Sequence, residues 1–161
     1  MIRLRLKLKW LPWPLREKPN KVDAPVTAAK SKSWIIRAFI APVVFFNLQC
    51  SYAFLIHPEG YVAGFDLYEP TGTYMIQGLG LLFLMWNIPY LLALFDPLRH
   101  STSLIEAVVM QAIGVIGESL LLLRIPQAYL NLHASVLRFI IFDGGGLVFL
   151  LIALFIRKRI K

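Results

Sequence analysis

Apolar residues in this chain come in blocks. Four runs of about 20 residues, Trp34 to His57, Thr73 to Phe95, Leu104 to Ile125 and Val136 to Ile156, are apolar on nearly every side. Short stretches rich in charge, Pro and Gly separate them. A helix of that length rises roughly 30 Å, enough to cross a hydrocarbon core. No period-two alternation persists through the region, which speaks against a β-barrel. Each span must then satisfy its own backbone as a helix, because lipid offers no hydrogen bonds. The pattern predicts an all-α integral membrane four-helix bundle over residues 34–161, preceded by a basic cytoplasmic arm and linker over residues 1–33.

The informative positions are those that break the blocks. In "GVIGESLLLLR" a glutamate, Glu118, interrupts the third run and Arg124 follows it. On a helical wheel Glu106, Gln111, Gly114, Gly117, Glu118 and Arg124 fall within an arc of about 140°, and Val108, Val109, Ala112, Ile116, Leu120 and Leu123 cover the other side. Ionisable groups at membrane depth almost always face a bundle interior or a cavity, so this polar face is expected to turn inward. The glycines let a neighbouring helix come close. Matching depths along the spans puts Asp143 at the level of Glu118, with Arg124 and Arg138 flanking the turn between them. Gln77, Asn47 and Gln49 reach the same level on the other two spans. The expectation is a buried polar layer in the outer half of the bundle: either a neutral ion-paired cluster that fixes helix register, or a small pocket or proton-titratable site. A second pair, Arg37 with Glu106, is expected nearer the opposite face. Asn87 and Pro89 in "MWNIPY" predict a kink with an interhelical hydrogen bond from Asn87. "DGGG", from Asp143 to Gly146, lacks the strand, Lys and Ser/Thr of a phosphate loop and reads as close helix approach.

Composition supports the membrane assignment: 58% of the 161 residues are hydrophobic, 16% are charged, and mean hydropathy is +0.65. The 17 Lys and Arg against 9 Asp and Glu leave a net charge of +8, and their placement makes this a topology signal instead of a nucleic-acid footprint. Basic residues gather before the first span, at Arg99 and in "IRKRIK", whereas the first connection holds Glu59, Asp66 and Glu69 with no Lys or Arg. The positive-inside rule then places both termini in the cytoplasm, in a membrane read as the bacterial cytoplasmic membrane. The single cysteine, Cys50, carries no disulfide logic. His57, His100 and His133 show no metal-ligand spacing, so no metal site is expected, and no motif names a cofactor. No nucleophile, base and orienting group stand together, so no catalysis is expected.

The arm, "RLRLKLKW", alternates basic and apolar residues. Arg3, Arg5, Lys7 and Lys9 with Trp10 and Trp13 predict docking on an anionic membrane surface or on a partner subunit. Residues 18–33, polar and broken by Pro19 and Pro25, read as a linker.

The stretches "MIQGLGLLFLMWNIPYLLALFDPLRH" and "SLIEAVVMQAIGVIGESLLL" resemble small bacterial four-helix membrane proteins of the DoxX-like or BphX-like type. The resemblance covers about a third of the chain and implies a four-helix membrane fold. It supplies no site residues. The expected function is that of a non-catalytic membrane protein, an accessory or scaffold subunit whose partners are the bilayer and other membrane subunits. The alternative is a protein that binds a hydrophobic small molecule (a lipid, quinone or pigment) or transfers protons through the Glu118 and Asp143 layer.

Overall fold

A computed structural model describes the backbone of residues 23–160 and the side chains of residues 33–160. The arm residues Arg3, Arg5, Lys7, Lys9, Trp10 and Trp13 lie outside the described residues. Four long helices dominate: α1 (Asp23–Ile56), α3 (Thr71–Phe95), α4 (Ser101–Leu122) and α5 (Leu130–Lys158). A one-turn helix α2 (Glu59–Val62) and a 3-10 turn (Ala63–Phe65) follow α1. The four long helices hold segments long and apolar enough to cross a membrane: Ser33–Ile56, Thr71–Phe95, Ser101–Leu122 and Leu130–Lys158. The chain is an all-α integral membrane bundle.

Residues 23–33, expected as linker, are instead the first turns of α1. Pro25 is compatible with this because the first helical turn needs no intrahelical N–H donor. The third span ends at Leu122, so Arg124 lies past the helix, and the fourth begins at Leu130, about a turn and a half earlier than its apolar run.

The helices form a ring in which α1 packs on α3 and α5, and α4 packs on α5 and, less extensively, on α3. Each helix buries one stripe at helical spacing. On α1 it is Ile36, Ile40, Val43, Asn47, Ser51 and Phe54; on α3, Ile76, Gly80, Asn87, Tyr90 and Ala93; on α5, Ser135, Val136, Gly146, Leu150 and Ala153. The remaining faces carry Leu, Ile, Val, Phe and Met in the open, as expected of surfaces solvated by lipid. One apolar core, built on Ile36, Ile40, Tyr90, Leu104 and Leu150, fills the bundle at the 95–101 end. A smaller one, of Phe54, Val62 and Ile76, lies under α2.

Close approach of α1 and α3 depends on Gly80. A Cβ there would sit 2.9 Å from the Cβ of Phe54 and 3.1 Å from the backbone nitrogen of Leu55. Ser51 donates to the Gly80 carbonyl across the same contact at 2.8 Å. The two ends are tied by polar bonds. Asp66, in the left-handed region at φ 52°, accepts from the Leu132 backbone at 3.0 Å and from Asn131 at 2.9 Å, so the first connection caps the start of α5. At the opposite end Arg37 donates to the Phe95 carbonyl, and Arg157 donates to Pro97 and Leu98 at 3.0 and 3.4 Å. These guanidinium groups satisfy carbonyls left open where α3 ends.

Candidate functional site

On α4, Gln111, Gly114 and Glu118 are spaced by three and four residues and share one face, which turns into the bundle as the wheel predicts. On α5, Asp143 and Gly146 do the same. The two faces interlock. A Cβ at Gly114 would collide with the Asp143 carboxylate, and one at Gly146 would lie 2.8 Å from Gln111 Nε2. Each helix thus supplies a glycine that makes room for the other's polar side chain. Gly144 and Gly145 meet nothing within 4 Å, so close approach in "DGGG" belongs to Gly146 alone, and α5 runs through it unbroken.

Gln111, 3% exposed, links three helices. Its Nε2 donates to Asp143 Oδ1 at 2.9 Å, and its Oε1 accepts from the Tyr90 hydroxyl at 2.7 Å. Tyr90 in turn accepts from Trp86 Nε1 at 3.3 Å. The chain Trp86–Tyr90–Gln111–Asp143 therefore orients the aspartate from α3 through α4.

Beside this chain lies a cavity of about 200 Å³ lined by Asn47, Leu79, Leu82, Phe83, Trp86, Gln111, Gly114, Glu118 and Asp143. Both membrane-depth carboxylates open onto it. Glu118 Oε2 is buried and has no hydrogen-bond partner among the described residues. Asn47 and Phe83 also line a second cavity of about 280 Å³ toward the α2 end, so the two adjoin. Its other walls are Cys50, Phe54, Tyr61, Phe65, Ser135, Arg138, Phe139 and Phe142. Phe54, Phe65, Phe83 and Phe139 form a ring cluster with centroids 5.9 to 6.2 Å apart, the geometry of edge and offset aromatic packing.

The predicted layer is thus assembled in part. Asn47, Glu118 and Asp143 come together. Arg138 lines the aromatic cavity instead of pairing with an acid, and Arg124 is exposed beyond α4. Gln49 is exposed, and Gln77 donates to the Leu55 carbonyl at 3.4 Å, apart from the acids. The neutral four-charge cluster is corrected: among the described residues no Lys or Arg pairs with an acid, and the one contact of this kind is His57 with Glu59 at 3.8 Å. The inner pair is corrected too, because Arg37 takes the Phe95 carbonyl while Glu106 is exposed. Near a span end a long side chain reaches the aqueous boundary more cheaply than it forms a buried pair. Asn87 donates to Phe83 of its own helix at 2.7 Å, not across helices. Tyr90 and Trp86 are the residues that the sequence reading missed.

Among the described residues no group of three or more His, Cys, Asp and Glu could hold a metal ion. No family model, curated protein or solved structure matches the chain.

Proposed function

We propose that this protein is a non-catalytic integral membrane protein that binds a small hydrophobic molecule inside its helix bundle, at the two adjoining cavities. The observation that carries this reading is Glu118 and Asp143 opening onto one cavity with no Lys or Arg paired to them among the described residues. A carboxylate at bilayer depth costs at least ~2.5 kcal/mol on insertion scales, so a cluster kept only for packing would be neutralised within the protein. A binding site keeps such groups free for what enters. The aromatic walls of the adjoining cavity suit an apolar body, and a few convergent polar groups fix its orientation.

The accessory-subunit reading rests on the basic arm, which lies outside the described residues, on the aromatic-rich spans and on the lack of a catalytic motif in the sequence. The resemblance to DoxX-like and BphX-like proteins adds no residue to either reading. The charge placement supports cytoplasmic termini in a bacterial cytoplasmic membrane.

Extraction of the purified protein in a mild uncharged detergent, followed by mass spectrometry of small molecules and co-eluting proteins, tests the proposal. A stoichiometric apolar compound is expected in the wild type and is depleted in Cys50→Trp, which fills the aromatic cavity. Stable larger subunits with no bound compound would overturn it in favour of a scaffold.

A further inference from the structure

The two cavities differ in kind. The smaller one combines two carboxyl groups with the rings of Trp86 and Phe83, and carboxylates with aromatic rings are the groups that hold an ammonium. Asn47, 5% exposed, lines both cavities and has no side-chain hydrogen-bond partner among the described residues. Its side-chain amide adds a polar group at the junction of the two cavities. The larger cavity is aromatic, and its one charged wall is Arg138. The arrangement is therefore polarised, with two acidic groups at the inner cavity and a guanidinium at the outer one.

Resting on the ligand-binding reading above, we propose that the occupant is an organic ammonium ion with an apolar or aromatic body. Its nitrogen lies between Glu118 and Asp143 against Trp86, and its body extends past Asn47 into the aromatic cavity. Arg138 repels the charged head from the outer cavity and so fixes this orientation. A bare metal ion would need more ligands than these two acids supply, whereas a quaternary or tertiary ammonium needs none beyond the charge and the ring faces. The same head chemistry belongs to choline lipids and to free amines.

Benzyltrimethylammonium is the probe, and neopentylbenzene, with carbon in place of nitrogen, is its uncharged control. Full-length protein in maltoside micelles is expected to give a saturable calorimetric isotherm with the first and none with the second. Cys50, the chain's single cysteine, lines the aromatic cavity, so the bound probe also slows its alkylation. Glu118→Gln is expected to weaken binding roughly thirtyfold, the scale of losing one member of a buried charge pair. Trp86→Leu weakens it about tenfold. Neither removes a partner from a buried cation, and a retained elution volume with a cooperative unfolding transition confirms that each variant is folded. Displacement by a short-chain phosphatidylcholine identifies the source as a lipid headgroup, and indifference to it identifies a free amine. Equal protection of Cys50 by both compounds with no effect of Glu118→Gln would overturn the ammonium assignment and leave the hydrophobic site standing. Failure of the ammonium to bind the folded wild type would also overturn it, while a co-purifying neutral compound would still uphold the site.

Discussion

Gln111 is where a neutral residue carries more of the architecture than the charges around it. It gives Tyr90 an acceptor and Asp143 a donor. Gln111→Leu keeps the side-chain size but strands both. With about 1–3 kcal/mol for each buried group left unsatisfied, the loss is expected to reach roughly 2–4 kcal/mol. Tyr90→Phe removes one bond and leaves the glutamine oxygen unpaired, so its cost is nearer 1–2 kcal/mol. Thermal unfolding in detergent should rank wild type, Tyr90→Phe and Gln111→Leu in falling order; equal stability of all three would show that the chain is not maintained in the bundle. Glu118 and Asp143 were legible in the sequence because a charge inside an apolar run is costly and so conspicuous. The arginine pairing that the sequence suggested for them is not formed. Depth can be counted along a helix, but the direction of a side chain near a helix end depends on where the helix stops, and α4 stops before Arg124. Tyr90 and Trp86 gave no signal, since both are unremarkable in a membrane span.

Helix existence and inward faces were readable from block length and from the spacing of Gln111, Gly114 and Glu118. What the pattern could not show is how one element fixes another. The first connection appeared only as an acidic stretch with a bearing on topology, yet Asp66 uses its carboxylate to cap α5 some 65 residues later in the chain. Asp66→Ala is expected to lose about 1 kcal/mol, as for other N-terminal caps, and to speed amide exchange in the first turn of α5. Asp66→Asn retains an acceptor and tolerates the left-handed conformation, so it should lose less. Uniform exchange across α5 in the alanine variant would show that the cap does not hold that turn. Gly80 works on the same scale. Gly80→Val places methyl groups where the α1 backbone lies, and overpacking of this kind costs roughly 1–3 kcal/mol or forces α1 and α3 apart. Gly78, also on α3, meets nothing within 4 Å, so Gly78→Val is the matched control and should be close to neutral.

At the scale of the whole molecule, the ring order and the two capped ends define a direction that the charge distribution should follow in the membrane. The end bearing α2 holds Glu59, Asp66 and Glu69. The end bearing the 95–101 connection holds Arg99 and, at the close of α5, Arg157 to Arg159. Two of the basic residues there, Arg37 and Arg157, are engaged with backbone carbonyls, but Arg99, Lys158 and Arg159 stand exposed and remain available to anionic lipid. Placing single cysteines tests the resulting orientation without disturbing either cap. In a Cys50→Ala background, Tyr68→Cys occupies a position 86% exposed in the acidic connection and keeps the backbone carbonyl that accepts from Gly72 at the start of α3. A membrane-impermeant maleimide added to intact cells should label it at once. Arg99→Cys and Lys158→Cys, at the other end, should react only after the membrane is permeabilised. The opposite pattern would mean that the acidic end faces the cytoplasm, against the positive-inside rule. It would also place the aromatic cavity and Arg138 on the cytoplasmic side, so the ligand would enter the bundle from within the cell.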